Sequence, residues 1–319
     1  MTFIYDEASF ARDAQQQIAF LTPQMYRIES EVYQVRYPSF DIAPLMHVNE
    51  DGDMWDIGSV FYSGDVAGAA QWIAGRGFDM PYASVAATQH VQQNHLAGIG
   101  YEWSLQELER AAKLGRNLST EKAAAASKVA QQFKWAIAMT GNTEKGLTGL
   151  VNNASVPAAQ VANDGTGPSR LWSAKTPDQI LRDVDEALEA PFIATKEVHL
   201  ANTLLLPTSR FNMIARTRLT DTDITVMDFL RQSNAYTAQT GQPLTIRATR
   251  ALETAGTGNG ARMIAYDNSR EVAQFHLPGE HEFLSPFQKS SMTWEVAGIM
   301  NIGGLEIRLP KAIAYRDSF

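Results

Sequence analysis

The chain has 319 residues, 45% of them apolar and 19% charged, with no Cys and a formal net charge of −8. This composition excludes global disorder, a disulfide scaffold, a zinc–thiolate site and a thiol nucleophile. No apolar run approaches the ~18 residues of a membrane span, and the opening MTFIYDEASFARD lacks a basic-then-apolar secretion signal, so a reducing compartment and no membrane partner are expected.

At ~100–200 residues per domain, the length fits one elaborate or two modest domains. Residues 1–50 are weakly patterned: Phe10, Ala14 and Ile18 give a helical spacing within Glu7–Phe20, and β-like text runs from Met25 to Tyr37. Neither stretch joins length to a clean period, so the segment cannot build a core of its own. Residues 51–100 read as an extended, acidic hairpin: a strand at Ile57–Tyr62, a turn at Gly64–Asp65 and a β-like return at Ile99–Trp103. The texture then changes. Ser104-Leu-Gln-Glu107 is a capping box that opens a short helix ending at Gly115. A long helix is predicted from Ser119 or Thr120 to Thr140, stopped by Gly141, with Ala126, Val129, Ala130, Phe133 and Ile137 as its buried stripe.

Residues 152–175 are rich in Asn, Ala, Ser, Gly and Pro, and a loop of that length predicts an interaction element. Thr176-Pro-Asp-Gln179 opens the best-marked helix, with Thr176 as N-cap, Pro177 at the first turn and Ile180, Leu181, Val184 and Leu188 on the apolar face. A buried strand at Thr203–Leu206 and short helices at Ser209–Arg216 and Thr222–Leu230 follow. Strands are predicted at Leu244–Thr249, Arg262–Tyr266, Glu271–Phe275, Met292–Met300 and Leu305–Tyr315. Helices and strands mix without strict alternation, which gives an α+β fold class.

The charge is unevenly placed. The first 100 residues hold four Arg, no Lys, eight Asp and four Glu, while the remainder is balanced and the first lysine is Lys113. A solvated acidic surface or a partner-facing segment would both produce this asymmetry, and neither resembles the basic face of a general nucleic-acid binder. No catalytic constellation emerges. His276, Glu280, His281 and Glu282 lack metal-ligand helical spacing and, with Pro278-Gly279 between them, read as a surface loop. His90 and His95 read as exposed. Gly256-Thr-Gly-Asn-Gly260 lacks a following Lys-Ser/Thr and reads as a turn. Asp183, Asp185, Glu186 and Glu189, with Lys175 and Arg182, read as the polar face of a helix. No catalytic, cofactor-binding or metal residues are assigned, no cofactor is expected, and the chain is read as a non-enzyme.

Taken in order, these pieces resemble the major capsid proteins of tailed bacteriophages with the HK97 fold. Gly98–Leu108 is similar to the strand-to-helix passage into the long spine helix. Ala123–Thr140 resembles the spine itself, and Gly146–Asn153 the segment after it. Thr176–Ala190 with Thr203–Pro207 looks like the first helix and strand of the axial domain. Met292–Ala297 and Leu305–Tyr315 resemble the closing strands.

The resemblance implies an N-terminal arm over 1–50 and an E-loop over 51–100, both reaching across neighbouring subunits. It implies a peripheral domain from 101–150 with 286–302, and an axial domain from 151–285 with 303–319. The implied function is self-assembly into the icosahedral head shell around a double-stranded DNA genome. The implied partners are copies of the chain itself in hexamers and pentamers, a portal, a separate scaffold, cement or decoration proteins, and packaged DNA touched non-specifically. Residues 1–112 hold no lysine, so the isopeptide weld some relatives make from the E-loop cannot form there. The chain opens without a long charged helical preface, so N-terminal cleavage is not expected. Alternatives of the same or another class are an encapsulin-like nanocompartment shell and an α+β enzyme. The acidic arm and hairpin are expected to lie against basic surface on adjacent copies. Arg210–Arg250 is the candidate, with six Arg against Asp221, Asp223 and Asp228.

Overall fold

The computed structural model describes residues 40–319, apart from 68, 71, 73–81, 116, 165–168 and 221. The expected helix within Glu7–Phe20, the β-like stretch to Tyr37 and most of the expected arm lie outside the described residues. In chain order come β1 (His47–Asn49), β2 (Gly58–Ala67), β3 (Ser84–Gln93), β4 (His95–Gly98), β5 (Tyr101–Ser104), α1 (Leu105–Lys113) and α2 (Leu118–Thr140). Then follow β6 (Gly141–Asn142), β7 (Leu147–Thr148), β8 (Ala158–Gln160), α3 (Pro177–Ala194), β9 (Thr203–Leu206), α4 (Thr208–Arg216), α5 (Val226–Gln232), α6 (Ala235–Thr240) and β10 (Thr245–Ala248). The chain closes with β11 (Arg262–Tyr266), β12 (Ala273–His276), β13 (Gly279–Phe283), β14 (Phe287–Ser290), β15 (Thr293–Val296), β16 (Gly298–Ile302), β17 (Gly304–Ile307) and β18 (Ile313–Asp317).

The centre is a five-stranded mixed sheet, β10-β9-β11-β18-β8, whose two faces feed two apolar cores. Strand alternation sorts the side chains: Leu205, Ile264, Tyr266, Ile313 and Tyr315 face one core, and Leu204, Leu206, Met263 and Ala265 face the other. The first core is closed by α2 through Ala130, Ile137, Ala138 and Met139, the second by α3 through Ile180, Val184, Ala187 and Leu188. Three small sheets, β1-β12-β17, β13-β16-β4 and β14-β15-β5, flank this body.

Local signals explain the elements. Both predicted capping boxes form: Ser104 with Glu107 on α1, and Thr176 with Gln179 on α3. The long helix starts one or two residues earlier than expected, at Leu118, because the Asn117 side chain accepts from the Thr120 amide. Its 23 residues span about 34 Å. The predicted stripe is only partly buried. Ala126, Ala130 and Ile137 go inside, whereas Val129 and Phe133 remain 44% and 40% exposed, because no other part of the described chain covers them.

The helix stops at Gly141 (φ 70°). Asn152 then stitches the exit, donating to the Thr140 carbonyl at 2.7 Å and accepting from the Gly149 amide at 2.9 Å. Gly149 has no room for a side chain: a Cβ there would collide with the Met139 carbonyl. Gly149→Ala is therefore expected to cost about 3 kcal/mol, read as a lowered denaturation midpoint of the subunit.

Several expectations need correction. Gly64–Asp65 is not a turn but lies within β2, because β2 and β3 pair without interruption over ten residues each. Residues 152–175 are not a free contact loop: β8 pairs in parallel with β18, and Val156, Val161 and Trp172 are core residues. The predicted strand Met292–Met300 is two strands, β15 and β16, in different sheets. The predicted helix from Thr222 starts at Val226, where Thr225 supplies the cap, and α6 was not expected.

Candidate assembly interface

β2 and β3 form an antiparallel ladder from Gly58↔Gln93 to Ala67↔Ser84, an arm about 34 Å long at ~3.4 Å per residue. No residue of β3 is buried. Val60, Tyr62, Val85 and Val91 stand exposed on it. A lone two-stranded ribbon is marginal in water. The arm therefore carries apolar surface that only another surface can cover.

The root of the arm is held firmly. The Asn94 amide donates to the Ile57 carbonyl at 2.8 Å, and Gln92 Nε2 donates to the Gly303 carbonyl at 2.6 Å. Arg308 lays its guanidinium 4.4 Å over the Phe61 ring, which stacks on His90 at 4.7 Å between centroids. His90 is hydrogen-bonded to Ser63 and stays exposed as expected, whereas His95, also expected at the surface, is half-buried on β4. Arg308 is itself held by Glu306 at 3.1 Å.

Glu306 joins His276 (2.8 Å) and Gln274 (3.2 Å) in a buried cluster between β12 and β17. Burial alone would raise the Glu306 carboxyl; the His276 hydrogen bond and the Arg308 charge outweigh it and hold the group below its usual range. The expectation of a surface loop for His276–Glu282 fails here. His276 ends a fully buried strand, and Glu280, His281 and Glu282 lie on β13, where His281 meets the Ile99 carbonyl. The sequence signal was present: Glu271–Phe275 already read as a strand, and one more residue reaches His276.

The polar face assigned to α3 is also corrected. Asp183 and Lys175 are buried and 2.6 Å apart. Lys175 Nζ also meets Asp164 at 2.9 Å and donates to the Ala162 carbonyl at 2.8 Å, while Trp172 Nε1 donates to Asp183 at 3.0 Å. Arg182 bridges Asp164 and Asp183. Hydrogen bonds from Arg182 and Lys175 hold the Asp164 carboxyl down at about 2. Asp185 is half-buried beside Glu189, and burial first, then that like charge, push it up to about 6. Of the predicted polar face, Glu186 and Glu189 stay at the surface.

A third buried pair fixes the C-terminus. Arg262 meets Asp317 in a two-point contact at 2.7 and 2.8 Å, and Asp317 also accepts from the Thr257 amide and hydroxyl. The glycine-rich 256–260 turn thus serves as a donor to Asp317 rather than as a phosphate cradle. Among the described residues, no group of three or more His, Cys, Asp or Glu is placed to hold a metal, and no helix is long and apolar enough to cross a membrane.

The basic stretch is partly consumed internally. Arg210 donates to the Phe319 carbonyl and Arg218 pairs with Asp223, whereas Arg216, Arg231, Arg247 and Arg250 are exposed.

The sequence matches the family described as major capsid protein over residues 68–319. The chain belongs to that family. The capsid protein's fold is also that of solved capsids. It superposes on the capsid of Myoviridae phage XM1 with a TM-score of 0.78 at 15% identity, covering 94% of this chain and 98% of that one. For Microbacterium phage Oxtober96 the TM-score is 0.63 at 10% identity, covering 94% and 98%. For the capsid of an empty GTA particle it is 0.62 at 12% identity, covering 92% and 95%. No curated protein matches the sequence. These likenesses give the capsid protein the HK97-type α+β fold that the sequence order pointed to.

Proposed function

We infer that this capsid protein is the repeating subunit of the icosahedral head shell enclosing the double-stranded DNA of a tailed bacteriophage, and that it acts structurally, without catalysis. The observation that carries the reading, beyond family membership, is the β2–β3 arm: a rooted, apolar-dotted ribbon with no core of its own. In this reading residues 1–50 are the N-terminal arm, and 51–100, which carry the β2–β3 ribbon, are the E-loop. The peripheral domain is 101–150 with 286–302, and the axial domain is 151–285 with 303–319. Copies associate as hexamers and pentamers, with a portal, separate scaffold and cement proteins as further partners and DNA touched without sequence preference. With no lysine before Lys113, cohesion comes from noncovalent burial.

Electron microscopy of the protein expressed alone tests the reading. Rings or closed shells are expected; a stable monomer by size-exclusion chromatography with light scattering overturns it. The acidic first third and the exposed arginines of 216–250 give a second expected outcome. If they meet across subunits, raising salt from 50 mM to 500 mM weakens capsomer formation, because the shorter Debye length screens exposed charge pairs. An assembly yield indifferent to salt removes that pairing.

A further inference from the structure

Residues Asp51–Ile57 belong to no helix or strand, yet they are held as firmly as one. The Asp56 amide donates to the Asp53 carbonyl at 3.1 Å, and the Asp53 amide to Asp56 Oδ2 at 2.7 Å. From outside, the buried Asn301 donates through Nδ2 to the carbonyls of both Asp53 (3.3 Å) and Asp56 (2.9 Å). Asn94 Nδ2 adds a bond to the Asp56 carbonyl at 3.2 Å. Met54 is buried against Gly279, where a side chain would meet its sulfur. What this staple displays is an indole: Trp55 is 69% exposed and Ile57 87%. Asp51, Asp53 and Asp56 flank it along the chain, Asp51 within 3.5 Å of Arg270 and the other two capping amides of their own loop. An aromatic fixed in place before contact is the arrangement that lowers the ordering cost of binding and makes a hot spot.

A complementary hollow lies elsewhere on the same chain. α3 ends abruptly at Thr195, whose hydroxyl donates to the Pro191 carbonyl and accepts from the His199 amide. Lys196 and Glu197 then both adopt positive φ, 55° and 68°. For residues with a Cβ that conformation is strained, and surrounding structure must hold it. The exit opens a groove of about 560 Å³ lined by Ser155, Thr195, Lys196, Val198, Leu309 and Lys311. Its floor is apolar, and Ile193 beside it is exposed. Two exposed lysines, Lys196 and Lys311, stand on its rim. His199 also lines the groove and is tied through Nδ1 to Asp267 at 2.9 Å.

We propose that Trp55 of one copy seats in the Lys196–Lys311 groove of a neighbouring copy, with Asp51, Asp53 and Asp56 facing the two lysines. Shape and charge carry this. An aromatic knob flanked by acidic residues meets a lysine-rimmed apolar hollow, and among the described residues nothing covers Trp55. The contact joins two different patches, so it is head-to-tail, the kind that closes rings. The proposal rests on the shell reading above.

The test uses the full chain. A benzophenone amino acid is placed at position 55, assembled particles are irradiated, and cross-linked peptides are mapped by mass spectrometry. Cross-links into residues 193–199 or 309–311 of another copy are expected. If that variant does not assemble, Asp53→Cys with Lys311→Cys in this cysteine-free chain reads the same contact as an oxidation-dependent ladder of intersubunit multimers. Lys196→Glu with Lys311→Glu is expected to raise the protein concentration needed for assembly roughly tenfold. Particles whose cross-links map elsewhere, or no disulfide-linked multimers of the double-cysteine chain, overturn the seat and leave the shell reading standing. Absence of particles from the unaltered chain overturns the shell reading itself.

Discussion

Lys175→Ala is expected to destabilise the subunit by about 3–5 kcal/mol, the range for removing one partner of a buried ion pair. The Lys175 ammonium has no solvent exposure and neutralises Asp183 and Asp164 while filling the Ala162 carbonyl. Without it, Asp183 remains buried with, among the described residues, Trp172 and the half-exposed Arg182 as donors. Total stabilities of ~5–15 kcal/mol leave little reserve for such a loss. Chemical denaturation of the unassembled subunit checks the expectation, and a loss below 1 kcal/mol refutes it. The Lys175→Met, Asp183→Leu double variant should lose less than the sum of the two singles, since the uncompensated charge is gone. The network also has a pH signature. Asp164 has a depressed native pKa, so its stabilising contribution is complete above the unfolded value near 3.8 and disappears as pH falls through about 2. Asp185 works in the opposite sense. Its native pKa is raised to about 6, so the native state holds the proton more tightly and stability declines as pH rises from about 3.8 to 6. Asp185→Asn should flatten that decline without moving the acid limb set by Asp164.

The contrast between α3's two ends shows what the sequence could and could not reveal. Thr176, Pro177 and Gln179 act on backbone groups within three residues, so spacing alone locates the start of the helix. Asp183 is different. It sits three residues after Ile180 and four before Ala187, inside the apolar stripe, and that misfit was the available sign of a buried carboxylate. Its partners Trp172 and Lys175 come from the preceding segment, whose folding depends on β8 finding β18 more than 150 residues away. The same reason hid the Arg262–Asp317 pair and the Arg308–Phe61 contact: each joins residues distant along the chain. Phe133 and Val129 failed differently. Helical period gives a face but not whether the chain has anything to lay on it. In a shell subunit part of that cover belongs to other copies, so apolar stripes overstate the core of the single molecule. The staple around Trp55 left no sign in the pattern, because Asn94 and Asn301 read as ordinary polar residues.

Replacing residues 61–90 by an Asn-Gly turn is expected to leave a folded subunit that no longer assembles. The short loop preserves the Val60↔Val91 pair and the ladder below it, and a two-residue Asn-Gly connection matches the twist of antiparallel strands. Little of the core is touched, because the two apolar clusters draw no buried residue from β2 or β3. What is lost is the cation–ring contact of Arg308 with Phe61, worth ~0.5–1 kcal/mol, while Arg308 keeps Glu306. The thermal midpoint should therefore fall by only a few degrees, since 1 kcal/mol in a chain of this size moves it by ~2–4 °C. Assembly should respond on another scale. Each missing ribbon removes the exposed Val85, Tyr62 and their neighbours from every intersubunit contact, and a lattice multiplies that loss over all its copies. Electron microscopy and light scattering, beside a melting curve, separate the two effects. Shells that still close without the ribbon would assign assembly to other surfaces, whereas a subunit that unfolds would show that the ribbon supports its own chain.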